Sequence, residues 1–167
     1  VKTIVNDDLR TLYGWVKRTR EILFEYTQSL PNDVYTLEKP EFAYGSIRNV
    51  HAHVAQCYLW WIGRIGLNLD WAALEPHPSS LTDVPAMRQQ FRTVDTVVEQ
   101  ALEAFTTPDA ILEFQHPRHG TLKLTRRWLV MHPITHEFHH KGQLLAMGRM
   151  LSHPLPSSAD ADLVLPG

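Results

Sequence analysis

The apolar positions of the chain fall into four long helical patterns and one alternating pair. Between Asn6 and Leu30, the residues Leu9, Leu12, Trp15, Val16, Ile22, Leu23 and Tyr26 recur at spacings of three, four and seven, as on one face of a helix. Asn6 or Asp7 supplies a capping oxygen at the start, and Pro31 ends the pattern. A polar stretch containing Pro40 reads as a loop up to Tyr44. A second helix is predicted from Gly45-Ser46, with Ser46 as N-cap, to Gly63 or Ile65. It carries Ile47, Val50, Val54, Cys57, Leu59, Trp60, Trp61 and Ile62. The adjacent tryptophans make its C-terminal half apolar nearly all round, which predicts deep burial there.

A long connection follows from Gly66 to Thr82. Thr82 or Asp83 then caps a third helix, with Pro85 in the first turn, where its missing N–H costs nothing. Its apolar face is Met87, Phe91, Val94, Val97, Val98, Leu102 and Phe105, ending near Thr106. Ile111–Phe114 and Thr121–Leu124 alternate around a Pro117–Gly120 turn and predict a small β-hairpin that must pack on the helices to persist. Thr125 caps a last helix bearing Trp128, Leu129, Ile134, Phe138, Leu144, Leu145, Met147 and Met150. Pro133 inside it removes a hydrogen bond and meets the carbonyl of Leu129, at a cost of about 3 kcal/mol. Either the helix kinks there or a fresh one begins near His132. The tail from Pro154 to Gly167 holds three prolines and reads as irregular. The pattern as a whole predicts an all-α fold: an up-down four-helix bundle with long connections and a β-hairpin before the last helix, as a single domain over residues 1–167.

Composition narrows the function classes. Apolar content of 44% and charged content of 20% are those of a soluble globular protein. A net charge of −2 with no basic stripe gives no support for nucleic-acid binding, which needs cations to neutralise phosphates. No apolar run reaches membrane-spanning length. The single cysteine, Cys57, excludes an internal disulfide framework and suits a reducing cytoplasm. The first eight residues lack the apolar core of a signal peptide and an initiator Met.

The chemistry concentrates in Thr135–Gln143, which holds three of the ten histidines within five residues. His136 and His140 are four apart, about 40° around a helix axis and one turn along it, so both imidazoles can reach one point beside the helix. A divalent metal requires that convergence of neutral nitrogens. His139 lies about 100° from His140 and is expected at the surface. His132, one turn before His136, is expected to line the site. The string His136-Glu137-x-x-His140 also matches the zincin pattern, in which the glutamate is a general base. No strand scaffold accompanies it, so a metalloprotease is the weaker reading, and Glu137 is expected to bond nearby or meet solvent. On the second helix His51 and His53 are two apart and point to nearly opposite sides, so one can face a core while the other faces away.

Several of these residues together resemble a known family. Gly45-Ser-Ile-Arg-Asn-Val-His-Ala-His-Val-Ala, followed by Trp61, resembles the second helix of the DinB/YfiT-like four-helix bundles. His136-Glu-Phe-His-His-Lys-Gly-Gln-Leu resembles their fourth-helix signature, and Gly148-Arg-Met-Leu-Ser-His-Pro-Leu-Pro resembles the end of that helix. The resemblance implies a divalent metal, nickel or zinc most often, held by one histidine of helix two and two of helix four. Those positions are His53, His136 and His140, with His51 the substitute for His53 if the register differs. It also implies a homodimer and, in some relatives, a low-molecular-weight thiol such as bacillithiol or mycothiol acting on a small-molecule substrate. The family's name derives from a DNA-damage-inducible gene and does not imply DNA binding.

Three imidazoles from two helices leave coordination positions open, which marks a catalytic rather than a structural metal. Taken with what the resemblance implies, the expected function is a metal-dependent enzyme of thiol S-transferase or hydrolase type. The alternatives are a non-catalytic metal-binding or stress-related bundle, and a structural module whose histidines are incidental. No catalytic or cofactor-binding residue is assigned from the sequence. Cys57 is expected as a small buried apolar group. Trp60, Trp61, Trp128 and Phe138 are expected in the core, one or two of them at the pocket mouth. Arg48, Arg126, Arg127, Lys141 and Arg149 are expected as solvated charges, one of them a candidate for the carboxylate of a thiol cofactor.

Overall fold

A computed structural model of the chain describes residues 7–165. The expected cap at Asn6 and the last two residues of the tail lie outside the described residues. The first helix, α1, spans Asp7–Ser29 as one piece. Its buried face is Leu9, Tyr13, Val16, Arg20, Leu23, Phe24 and Thr27. Trp15, expected inside, is 40% exposed, while Arg20 is 5% exposed. A charged side chain thus lies in the core, while Trp15 of the expected apolar face does not.

The expected loop contains a short helix, α2 (Asn32–Thr36). Helix α3 spans Ile47–Tyr58, and its first turn is fixed by the Ser46 hydroxyl, which accepts from the Asn49 amide at 3.1 Å. The chain then continues as a π-helical segment, Leu59–Gly66, in place of the expected α-helix. The Leu67 amide donates to the Ile62 carbonyl five residues back, at 2.9 Å. Such wide turns are rare and gather at functional sites. Here Leu59 and Ile62 are fully buried, while Trp60 and Trp61 are only half-buried, contrary to the expected deep burial. Gly66 lets the segment close on the core, since a Cβ there would lie 2.8 Å from Phe105 Cζ.

The long connection carries α4 (Trp71–Leu74) and a 3-10 turn at Pro78–Ser80. Asp83, not Thr82, caps α5 (Val84–Ala104), accepting from the Ala86 amide at 2.8 Å. Strands β1 (Ile111–His116) and β2 (Gly120–Thr125) pair antiparallel, Ile111 opposite Thr125 and His116 opposite Gly120. Helix α6 (Arg126–Met150) is capped by the Thr125 hydroxyl, which accepts from the Trp128 amide at 3.1 Å. It runs through Pro133 without interruption, so no fresh helix begins near His132.

Among the described residues the chain is thus mostly helical, with a two-stranded hairpin before the last helix. Six α-helices are present, not four; the two extra ones, α2 and α4, are short pieces within the connections. Helix α3 packs on α5 and α6, and α1 packs on the same two. Tyr13, Val50, Tyr58, Met87, Val94, Leu129 and Leu144 fill the space between them. The tail is mostly irregular, with a 3-10 turn at Ser157–Asp160 that buries Ala159. Lys141, expected in solvent, is 7% exposed because its ammonium donates to the Ala161 carbonyl of that tail. No helix among the described residues is long and apolar enough to cross a membrane.

Candidate metal centre

The packing of α3 on α6 brings His53 to face His136 and His140. His136 Nε2 lies 3.1 Å from His53 Nε2 and 3.1 Å from His140 Nε2. One nitrogen of each ring lies within 4.8 Å of the other two. Nitrogens held about 2.0–2.1 Å from one ion are about 2.9 Å apart at right angles and about 3.3 Å apart at tetrahedral angles. Two sides of the triangle therefore already have ligand spacing. Hydrogen bonding accounts for it less well: a ring nitrogen offers one hydrogen or one in-plane lone pair, and His136 Nε2 has two close partners. The arrangement is compatible with a divalent metal.

The rings are in the form a metal takes. Burial pushes His136 down to about 3, reinforced by the neighbouring His140 and His53 imidazoles. Burial likewise lowers His53 to about 4, with His140 adding to the shift. His140 is lowered by burial and partly restored by Gln143. All three are neutral near pH 7, with lone pairs available.

A glutamine three residues beyond His140 orients its ring. His140 Nδ1 lies 2.7 Å from Gln143 Oε1, so the ring donates there and leaves Nε2 unprotonated toward the cluster. Gln56 stands at the corresponding place on α3, where its side chain partly offsets the lowering at His53. His136 Nδ1 is buried with no hydrogen-bond partner among the described residues.

Tyr44 covers part of the cluster. Its ring stacks on His53 with 4.0 Å between centroids and 20° between planes, and meets His140 edge-on at 5.6 Å. The Tyr44 backbone is left-handed (φ +54°), a costly conformation for a bulky residue, and Gly45 follows at φ +86°. Asn49 Nδ2 donates to the Tyr44 carbonyl at 2.9 Å and holds the turn. Sequence reasoning missed this residue; a tyrosine beside a turn glycine was the only available cue.

His53 and His136 also line a cleft of about 550 Å³, within the range of about 300–1,000 Å³ usual for small-molecule sites. Trp60, Trp61, Trp71 and Cys57 form other parts of its wall, with the hairpin turn at His116–His119. Trp61 packs edge-on against Trp128 at 5.2 Å and against His132 at 5.3 Å. His132 stacks on Trp128 at 4.5 Å and lines the cleft rather than joining the cluster. Burial raises the Cys57 thiol to about 12, so it is a buried neutral thiol.

The remaining candidates point elsewhere. His51 is 2% exposed, with Nδ1 3.0 Å from Tyr35 Oη and its ring against Phe24 and Phe91. His139 is exposed, 3.4 Å from Gln143 Nε2. Glu137 is 7% exposed, its carboxylate accepting from Arg20 Nε at 2.7 Å, Arg20 Nη2 at 2.9 Å and Tyr58 Oη at 2.6 Å. The zincin string is present, but its glutamate is engaged by Arg20 in the core.

A mostly helical fold with three convergent imidazoles from two facing helices defines a histidine-cluster protein suited to a divalent ion. The sequence model of the DinB family matches residues 5–161, and the chain belongs to that family. No curated protein matches the chain significantly.

Proposed function

We propose that His53, His136 and His140 hold one divalent metal ion, and that the adjoining cleft admits a small-molecule substrate to it. The reading is a metal-dependent enzyme of thiol S-transferase or hydrolase type. Its main support is the approach of two imidazole nitrogens to His136 Nε2 at 3.1 Å each. Zinc or nickel is the ion that the family resemblance favours, and imidazole donors accept both. Three protein ligands leave room for a further one, and a metal so bound lowers the pKa of a bound water or thiol toward neutrality.

The protein's own groups supply orientation and shelter. Gln143 fixes the His140 ring plane, Tyr44 packs over His53, and Trp60 and Trp61 line one wall of the cleft. The core shared by α1, α3, α5 and α6 supports an up-down four-helix bundle and a single domain. A cytoplasmic homodimer accompanies this reading; light scattering after size exclusion tests the dimer. A metal-binding bundle without catalysis uses the same ligands but leaves the cleft without a role. Engagement of Glu137 by Arg20 removes the support for a zincin-type protease.

Elemental analysis of untagged protein tests the metal. One equivalent is expected in the native chain and none in His136→Ala with unchanged helical circular dichroism. Thiol adducts of electrophilic substrates, detected by mass spectrometry, test the transferase reading.

A further inference from the structure

Among the described residues, two charged side chains on the cleft wall, the exposed Arg118 and the half-buried Glu75, have no ion-pair partner. Among the described residues neither makes an ion pair or a side-chain hydrogen bond, and they are too far apart to pair with each other. The hairpin's other two charges do pair, Lys123 with Glu113 at 3.2 Å. Arg118 is carried by a built turn: His116 Nδ1 accepts from the Arg118 amide at 3.1 Å and the His119 amide at 3.2 Å. The His116 ring in turn stacks on Trp61, at 6.0 Å and 16°. The backbone that carries the exposed Arg118 side chain is thus anchored to the same aromatic wall that borders the histidine cluster. Glu75 follows α4, whose Trp71 meets Trp60 edge-on at 5.1 Å.

We propose that the cleft recognises a small aromatic zwitterion, a molecule of the aromatic α-amino acid class or a close derivative. A planar guanidinium without a partner suits a carboxylate. A half-buried carboxylate without a partner suits an ammonium, which the faces of tryptophan also attract. Trp60, Trp61 and Trp71 present rings for a flat apolar body and prefer edge-to-face or offset contacts. The proposal rests on the cleft being the substrate entrance to the metal site.

The test uses the full chain and three probes: L-phenylalanine, 3-phenylpropionate, which lacks the ammonium, and phenethylamine, which lacks the carboxylate. Calorimetry or quenching of tryptophan fluorescence reads binding. Phenylalanine is expected to bind about tenfold or more tightly than either analogue, the difference that one charge-assisted hydrogen bond supplies. Arg118→Gln is expected to abolish the advantage of phenylalanine over phenethylamine, and Glu75→Gln its advantage over 3-phenylpropionate. Equal binding of all three probes, no binding of any, or indifference to both substitutions overturns the proposal. Metal content measured on the same samples separates the two ideas. A full metal complement without zwitterion preference defeats only the proposal, and zwitterion preference without metal defeats only the metal reading.

Discussion

The carboxylate of Glu137 on α6 is held by the guanidinium of Arg20 on α1, at 2.7 and 2.9 Å, in the interior. Tyr58 of α3 donates to the same carboxylate, and Arg20 Nη1 reaches Asp95 of α5 at 2.7 Å. Tyr13 of α1 completes the set, donating to Asp95 at 2.6 Å. One polar network thus joins all four long helices, and its α6 member is the residue next to His136. It fixes the rotation of α6, and with it the direction of His136 and His140 toward α3.

Removing one member leaves a buried charge unpaired, which costs about 3–5 kcal/mol, whereas replacing both partners by apolar residues is often neutral or better. Glu137→Leu and Arg20→Met are each expected to lower stability by that amount in urea unfolding. The double variant Arg20→Met, Glu137→Leu is expected to recover most of the loss. Additive losses in the double variant would show that the pair is not coupled.

Gly148 supports a second expectation. A Cβ there would lie 1.9 Å from Tyr26 Oη, and Tyr26 is 4% exposed with its hydroxyl donating to the His153 carbonyl at 3.1 Å. Helix propensity favours alanine by about 1 kcal/mol. Overpacking opposes it by about 1–3 kcal/mol, and so severe an overlap belongs at the upper end. Gly148→Ala is therefore expected to lose about 1–2 kcal/mol and to lower Tm. A gain in Tm would mean that the Tyr26 ring yields freely.

Tyr44 ties backbone strain to the site. Tyr44→Gly relieves the left-handed conformation, and stability of the metal-free protein is expected to hold or rise by about 1 kcal/mol. The same change removes the stack on His53, so chelator competition is expected to show faster metal loss. Unaltered metal release would assign the stack no part in holding the ring.

Acid sensitivity follows from His51. Burial keeps this imidazole neutral in the folded protein down to about 3, with nearby Arg20 adding to the effect, while the unfolded chain protonates it near 6.5. Between those values the unfolded state binds the extra proton, so stability falls as pH falls through the window. The slope from one such group is about 1.4 kcal/mol per pH unit. Metal-free His51→Leu is expected to have a shallower decline than the native chain between pH 6.5 and 5. Identical slopes would place the acid lability elsewhere.

What was legible in the sequence was local. Amphipathic spacing and the caps at Ser46, Asp83 and Thr125 act within one or two turns, and they located α3, α5 and α6. The four-residue spacing of His136 and His140 fixed their common face. Family resemblance chose His53, and in the structure its ring meets the other two while His51 turns to Phe24 and Phe91. What was not legible depends on distant partners. Arg20 and Lys141 are buried because Glu137 and the Ala161 carbonyl receive them, which periodicity cannot register. The π-helical turn has no composition of its own, yet it exposes Trp60 and Trp61 to the cleft. Tyr44 on His53 and the His116 turn on Trp61 are contacts between segments far apart in the chain.

X-ray absorption of the zinc-loaded, untagged protein tests the centre most directly, because it counts imidazoles around the ion. Three are expected, with zinc–nitrogen distances of about 2.0–2.1 Å and a remaining light-atom ligand. A fall to two is expected in His53→Ala. One imidazole or none in the native chain, or an unchanged count in that variant, would contradict the three-histidine centre.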